Sequence, residues 1–450
     1  MLHRSWTCKY KRNHKILLVA IILFPLLVYV CLLWYMMHRL LLPSGPSHIS
    51  LPSPYSSGTG NNSIYEEGHS HIQPNHHDEM CRERRNLVFL KGMKCATNTL
   101  TGMFSRFAFK RNLSVALPKG NLIYHNWPYP MTWRDVRPTG RGEYNMLLHH
   151  AIYTPSVMHA LMPADTVYVS IVRQPFSHLQ SVFRYFKVAE IAGIFGPEEK
   201  QLVEYFSDAE RYERAYTSPN STKRWCIPNG FSVTRNLMSH CHGIPLGFPA
   251  GTRDVSHDAA AIDAFIRQLG RSFELVMIVE HLYESVILLR RLMCWEFKDI
   301  VFVTSNVTPS LNKEHSAKGY PRHIIEFHKR WSHVDYLLYD YFNTTLWNHI
   351  SRHGSEFHRE VKAFKTVQNR IEKYCLTVYD HSSSEKFPDH TAASSKWNRK
   401  FNISANDCWA LGPDPYKLMV KMKQQSDLLD KPFLQEDAKM ADSREYKGLC

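Results

Sequence analysis

Three short stretches carry side chains whose types and spacing could do chemistry on a multiply charged anion. The first, LKGMKCATNTLTGMF at residues 90–104, sets Lys91 and Lys94 between an apolar run and an amphipathic segment. Leu87, Val88, Phe89 and Leu90 read as a strand buried on both faces. A helix is expected to start near Thr97 or Asn98, either of which can cap it, with Leu100, Met103, Phe104 and Phe107 as its apolar stripe. A strand turning through small residues and lysines into a helix N-terminus can hold a phosphate. Unsatisfied N–H groups and the helix dipole face the anion, and Lys adds a full charge. The stretch lacks the second glycine and the Gly-Lys-Ser/Thr ending of a Walker A loop. Taken alone, it reads equally as an ordinary strand–helix turn with two solvated lysines.

The second stretch is TVYVSIVRQPFSHLQSVFRYFK, residues 166–187. Val167 to Val172 reads as another buried strand, Arg173 stands at its end, and Pro175 suits the first turn of a following helix. Ser181 falls about two turns into that helix. Arg at a strand end with a hydroxyl on the next helix can clamp a phosphate through bidentate charge-assisted bonds and one hydroxyl donor. Two anion sites on two strands of one sheet point to a ligand phosphorylated at both ends. The third stretch, LLHHAIY at residues 147–153, runs an apolar strand into His149 and His150. Histidine near its ordinary pKa of ~6.5 is a general base for neutral or mildly acidic conditions.

These side chains must be held by strands that alternate with helices. Further apolar runs mark strands at Leu113–Leu117, Met146–Leu148, Phe273–Val279 and Asp299–Val303. Helical periodicity begins at Thr154-Pro155 and recurs over His281–Trp295 and Pro321–Ile350. The expected class is α/β: a three-layer, P-loop-like fold around a mostly parallel sheet. Residues 376–450 are polar and weakly periodic and read as a loosely packed C-terminal extension of a domain at 83–375.

The N-terminal part reads as membrane topology. Residues 1–15 are basic, and Ile16–Met37 is a run of 22 uncharged residues, enough to cross a bilayer at about 1.5 Å per residue. It ends in Trp34-Tyr35-Met36-Met37 rather than small residues, as a retained anchor does and a cleaved signal does not. The positive flank places residues 1–15 in the cytoplasm and the rest in a lumen. Residues 38–82, rich in Pro, Ser, Gly and His, read as a flexible stem. Glycosylation sequons at Asn61, Asn112, Asn220, Asn306, Asn343 and Asn402 agree with a secretory lumen. Disulfides persist there, and Cys226–Cys241 is the first candidate pair. No CxxC pair supports a zinc site. The net charge of +14, from 55 basic and 41 acidic residues, suits an anionic ligand, nucleic acid or anionic lipid without choosing between them.

The first two stretches together resemble the two PAPS-binding motifs of Golgi carbohydrate sulfotransferases, PAPS being 3′-phosphoadenosine 5′-phosphosulfate. The likeness is closest to the galactose-3-O-sulfotransferase family and spans about residues 85–375, including VMIVEHLYESVILLRRLMCWEFKDIVF and RWSHVDYLLYDYFNTTLW. The resemblance implies a sulfotransferase-type fold and PAPS as co-substrate, with no metal and no nucleic-acid partner. It also implies a type II Golgi membrane protein whose acceptor is a galactose-terminated glycolipid or glycoprotein glycan; a homodimer stays open. Lys94 matches the family lysine at the leaving oxygen, with Lys91 helping to attract the anion. The backbone of Cys95, Ala96, Thr97, Asn98 and Thr99, with the two Thr hydroxyls, would hold the 5′-phosphate. Arg173 and Ser181 match the 3′-phosphate contacts. His150 matches the base, with His149 as second choice. Gly92, Met93, Cys95 and Asn98 depart from the family loop, and Ala151-Ile152 replaces Met-Arg after the histidine. Those departures put the acceptor in question more than the co-substrate. Two alternatives are another acceptor, such as a uronic-acid polymer, and a catalytically silent glycan-binding relative.

Overall fold

The computed structural model describes residues 81–119, 123–218, 227–304, 319–380, 387–412 and 415–429. The expected cytoplasmic tail, the span Ile16–Met37 and nearly all of the stem lie outside the described residues. Among the described residues no helix is long and apolar enough to cross a membrane.

Five strands, β1 (Leu87–Leu90), β2 (Val115–Ala116), β3 (Met146–Leu147), β4 (Val167–Val172) and β5 (Leu275–Ile278), form one sheet in the order β2–β3–β1–β4–β5. Every pairing is parallel. All residues of β1, β4 and β5 are buried. Successive side chains of a strand point to opposite faces, so such burial requires cover on both sides, and the helices supply it. The fold is α/β, built on a central parallel sheet of five strands. β1 and β4 have the bounds their apolar runs give, because each run stops at a charged residue.

Helix α1 (Thr97–Lys110) follows β1, α2 (Pro155–Leu161) precedes β4, and α3 (Pro175–Tyr185) follows it. Pro175 occupies the first turn of α3, and the Gln174 side chain accepts the Ser177 N–H at 2.7 Å. Helices α4–α6 (Val188–Ala192, Glu198–Ser207, Ala209–Thr217) and α7 (Leu237–Cys241) come next, and α8 (Ala259–Ser272) leads into β5. Then come α9 (Leu282–Met293), α10 (Phe297–Ile300), α11 (Arg322–Trp331), α12 (His333–Ser351) and α13 (Gly354–Asp380). A hairpin of β6 (His390–Ala392) and β7 (Phe401–Ile403), then α14 (Ala405–Leu411) and α15 (Pro415–Leu429), complete the described chain.

The chain lays β2 and β3 on one side of β1, then crosses to lay β4 and β5 on the other. Strand order thus reverses at β1, and the carboxyl ends beside such a reversal form the natural ligand crevice of an open parallel sheet.

Several expectations need correction. Neither Thr97 nor Asn98 caps α1: Ala96, in left-handed conformation at φ 52°, holds the cap position without a side-chain bond. The expected strand Asp299–Val303 is instead α10 followed by extended chain outside the sheet. Side chains of α13 replace a strand neighbour there. Gln368 bonds both the N–H and the C=O of Phe302, and Glu372 accepts the Thr304 N–H at 2.8 Å. The helical run Pro321–Ile350 is two helices broken at Ser332.

The described residues between 376 and 429 are not a loosely packed extension. Helix α13 runs unbroken through residue 375, and Cys375 is bridged to Cys408. Leu411, Met419 and Met422 join the main core. Asp407 of α14 pairs with Lys110 of α1 and lies 4.0 Å from the buried Arg106 guanidinium. Cys81 is bridged to Cys294. The expected Cys226–Cys241 bridge is not made: Cys241 is a free thiol, buried at the end of α7 beneath the Met93 backbone, while Cys226 lies outside the described residues.

Candidate active site

The sheet register sets the site. Leu147 pairs with Val88, so three residues on His150 stands level with Lys91; Leu90 pairs with Ser170, so Arg173 stands level with Met93. The side chains follow. His150 Nδ1 lies 2.9 Å from the Lys91 carbonyl, and Arg173 Nη1 donates to the Lys94 carbonyl at 3.4 Å. The carboxyl ends of β3, β1 and β4 therefore bring His150, the Lys91–Ala96 loop and Arg173 together.

The loop is wound in an unusual way. Lys94 and Ala96 both have positive φ, 60° and 52°, a conformation costing a side-chain-bearing residue roughly 1 kcal/mol or more. Such strain persists only where the surroundings fix it. Here Cys95 Sγ bonds the Met93 carbonyl at 3.4 Å, and His178 Nε2, on α3, bonds the same carbonyl at 2.9 Å. The turn delivers the chain into α1, whose N–H groups at Thr97, Asn98 and Thr99 have no acceptor within the helix. Thr97 is buried, Asn98 exposed and Thr99 half-buried.

Three cations lie in or beside this turn, Lys91 on the side of the two histidines and Lys94 beside Arg173. Lys91 is 2% exposed, and burial pulls its pKa down to about 7. Lys94 is also lowered, by burial and then by the nearby Arg173 charge, and its Nζ rests 4.0 Å from the ring centroid of Tyr185. Arg173 is buried with its Nε unpartnered. Among the described residues Glu280 is the one carboxylate that acts on Arg173, and none acts on Lys91 or Lys94. Cations taken out of water in this way are costly, and a multiply charged anion relieves them. The residues present therefore fit a phosphate-bearing ligand. Ser181 is half-buried on α3; no hydrogen bond among the described residues joins it to Arg173 or to the loop.

His150 has the geometry of a base. A carbonyl only accepts, so Nδ1 carries the proton it shares with Lys91 O, and Nε2 keeps its lone pair. Burial, then the Lys91 charge, hold its pKa well below the usual value, so the ring is neutral at pH 7. His149 makes no such bond to the Lys91 carbonyl: its Nδ1 is buried without a partner, its ring stands edge-on to His125 at 6.0 Å, and burial, then the charges of His125 and Lys91, lower its pKa as well.

The chain matches the family model for galactose-3-O-sulfotransferase over residues 4–386. It belongs to the galactose-3-O-sulfotransferase family. Among its relatives, it is 30% identical to human galactose-3-O-sulfotransferase 3 over 295 residues, 64% of this chain and 63% of that protein. It is 28% identical to human galactosylceramide sulfotransferase over 308 residues, 66% of this chain and 65% of the relative. It is 30% identical to pig (Sus scrofa) galactose-3-O-sulfotransferase 2 over 302 residues, 65% and 69% of the two chains. The matched part spans just under two thirds of the first two relatives' length.

Within this family framework the structure adds residues that sequence reading missed. Tyr185 lies one helical turn after Ser181 on α3, a spacing that could have flagged it as a partner on the same face. His178 and Cys241 bind the loop from beneath. Tyr124, whose ring centroid is 5.8 Å from that of His150, comes from a segment with no readable periodicity. Trp127 is buried against Phe186 and Phe231, which makes it core, whereas Trp133 is 63% exposed.

Proposed function

We propose that this chain transfers the sulfuryl group of PAPS to a hydroxyl of a β-galactose, the 3-OH, on a glycolipid or glycoprotein glycan. The supporting observation is the convergence of a neutral His150, the buried Lys91, the half-buried Lys94 and Arg173 at the carboxyl ends of β3, β1 and β4. In-line transfer needs a base at the attacking hydroxyl and a cation at the departing oxygen, as phosphoryl transfer does. His150 Nε2 takes the hydroxyl proton. Lys94, at the head of α1, neutralises charge on the departing phosphate oxygen, with Lys91 behind it. The α1 N-terminus and the Thr97 and Thr99 hydroxyls hold the 5′-phosphate, and Arg173 with Ser181 holds the 3′-phosphate. His149, which lacks the bond to the Lys91 carbonyl, is the second choice of base.

The names of the relatives support galactose as the acceptor sugar, and galactosylceramide is one acceptor to try. The sequence's N-terminal span supports a type II Golgi membrane protein with this domain in the lumen. The test is sulfate transfer from labelled PAPS by the fragment from residue 40 onward. Acceptors are galactosylceramide, N-acetyllactosamine and a uronic-acid polymer, and Lys94→Ala is the control. Label on galactose that vanishes in the variant is the expected result. Label on the polymer alone overturns the acceptor; no PAPS binding and no transfer overturns the reading.

A further inference from the structure

Helix α7 has only five residues, yet its residues bond three segments that carry the site. The Arg173 N–H donates to the Met238 sulfur at 3.4 Å. The Met93 backbone bonds the Cys241 thiol, and the Tyr153 N–H, at the end of the His150 stretch, donates to the Cys241 carbonyl at 3.0 Å. His242, one residue on, donates from Nδ1 to the Met238 carbonyl at 2.7 Å and lies 2.9 Å from the Ser170 hydroxyl of β4. The position of α7 thus sets the positions of Arg173, the loop and the His150 stretch together.

So short a helix does not hold itself in place, since its few internal bonds cannot offset the cost of nucleation. It is held from α12 instead. Asp335, 2% exposed, takes the Ser239 N–H and hydroxyl on Oδ1, each at 2.7 Å, and the Met238 N–H on Oδ2 at 3.3 Å. The brace is reciprocal. Asn236, left-handed at φ 52°, accepts the Val334 and Asp335 N–H groups on Oδ1 and donates its own N–H to the Ser332 hydroxyl at 2.7 Å.

Among the described residues no cation pairs with Asp335, whose bonds come from the N–H groups of Met238 and Ser239 and the Ser239 hydroxyl. A buried carboxylate held by N–H and O–H donors alone is a poor device for stability, because its desolvation is large and no opposite charge offsets it. It is a good device for direction. Its two oxygens fix two consecutive N–H groups of α7, one of them belonging to the residue whose sulfur receives the Arg173 N–H.

We infer that Asp335 is a positioning residue for the anion site, fixing α7 and through Met238 the backbone of Arg173. The inference rests on the proposed function only in taking Arg173 as a nucleotide-phosphate contact. It gives a role to the RWSHVDYLLYDYFN stretch, which touches neither the lysine loop nor His150 by any hydrogen bond among the described residues.

The experiment measures binding of adenosine 3′,5′-bisphosphate, with thermal unfolding recorded in parallel. Asp335→Asn keeps the shape but cannot accept at both oxygens. It should weaken nucleotide binding about tenfold or more, leaving the KM for the acceptor at saturating PAPS within about twofold. Met238→Leu keeps the volume and removes the sulfur acceptor. It should weaken binding about three- to fivefold with an unchanged melting temperature, and it decides the matter if Asp335→Asn does not fold. Ser239→Ala, which keeps both N–H bonds to Asp335, should bind within twofold of wild type. Wild-type affinity in folded Asp335→Asn, or in Met238→Leu, overturns the positioning role while leaving the sulfotransferase reading intact. A wild-type protein that does not bind the bisphosphate overturns both.

Discussion

Raising the pH from 7 to 8 should weaken nucleotide binding through one lysine. Lys91 is 2% exposed, and burial lowers its pKa to about 7. By simple titration it is then about half charged at pH 7 and about a tenth charged at pH 8. A phosphate held beside it favours the charged form and restores a pKa near the ordinary ~10.4 of lysine. Binding therefore draws in about 0.5 proton at pH 7 and about 0.9 at pH 8, and affinity falls about fivefold between them. A phosphate monoester has its second pKa near ~6, so its own titration is nearly complete across this range and offsets little. The assay is calorimetric titration with adenosine 3′,5′-bisphosphate in two buffers of different ionisation enthalpy, at both pH values. Lys94 is lowered as well, so the comparison that isolates Lys91 is Lys91→Met, which should lose most of the uptake. Equal proton uptake in wild type and Lys91→Met, or none in the wild type, would refute the argument that burial sets this lysine's charge.

Three other outcomes follow from the same structure. His150→Ala should lower kcat by roughly 10²–10⁴-fold while nucleotide affinity stays within about threefold; near-normal turnover would remove His150 as the base. Acidification should destabilise the fold. Burial lowers His125, His240 and His242 to about 4, and His178 and His328 to about 3. For bases lowered on folding, the stabilisation is complete above the unfolded pKa near ~6.5 and is lost as pH falls through the folded values, at up to ~1.4 kcal/mol per pH unit for each residue. Asp335, raised to about 6 by burial, opposes this between about pH 4 and 6 but is one group against five. A melting temperature flat from pH 7 to pH 4.5 would contradict this. Finally, Cys375→Ala with Cys408→Ala opens a bridge with a sequence separation of 33 and should cost about 3–4 kcal/mol by loop entropy. Chemical denaturation reads that cost directly, and an unchanged midpoint would show that the C-terminal segment is held by packing alone.

The sequence by itself determined the local elements that bear charge. Leu87–Leu90 and Val167–Val172 are continuous apolar runs closed by Lys91 and Arg173, so both strands and the cations at their ends could be read without a fold. Pro175 announced α3, and the Lys91–Thr99 turn announced an anion site, because a helix N-terminus offers free N–H groups wherever it lies. Those signals are short-range. Other elements could not be read this way, because their partners lie far off in the chain. Val301 to Val303 is apolar enough for a strand, but Gln368 satisfies the Phe302 backbone from a helix 66 residues away. The C-terminal segment looks too polar for a core until the Cys375–Cys408 bridge and Asp407 bring it against α1.

The choice between His149 and His150 belongs to the tertiary structure alone. Only the pairing of Leu147 with Val88 sets the His150 ring nitrogen on the Lys91 carbonyl and leaves His149 beside His125 without a bond of its own at Nδ1. Burial of Lys91, the Met238 contact with Arg173 and the brace from Asp335 likewise arise from chain segments that meet only on folding. Residue types set which chemistry is available, whereas register and packing set which atoms meet and in which charge state.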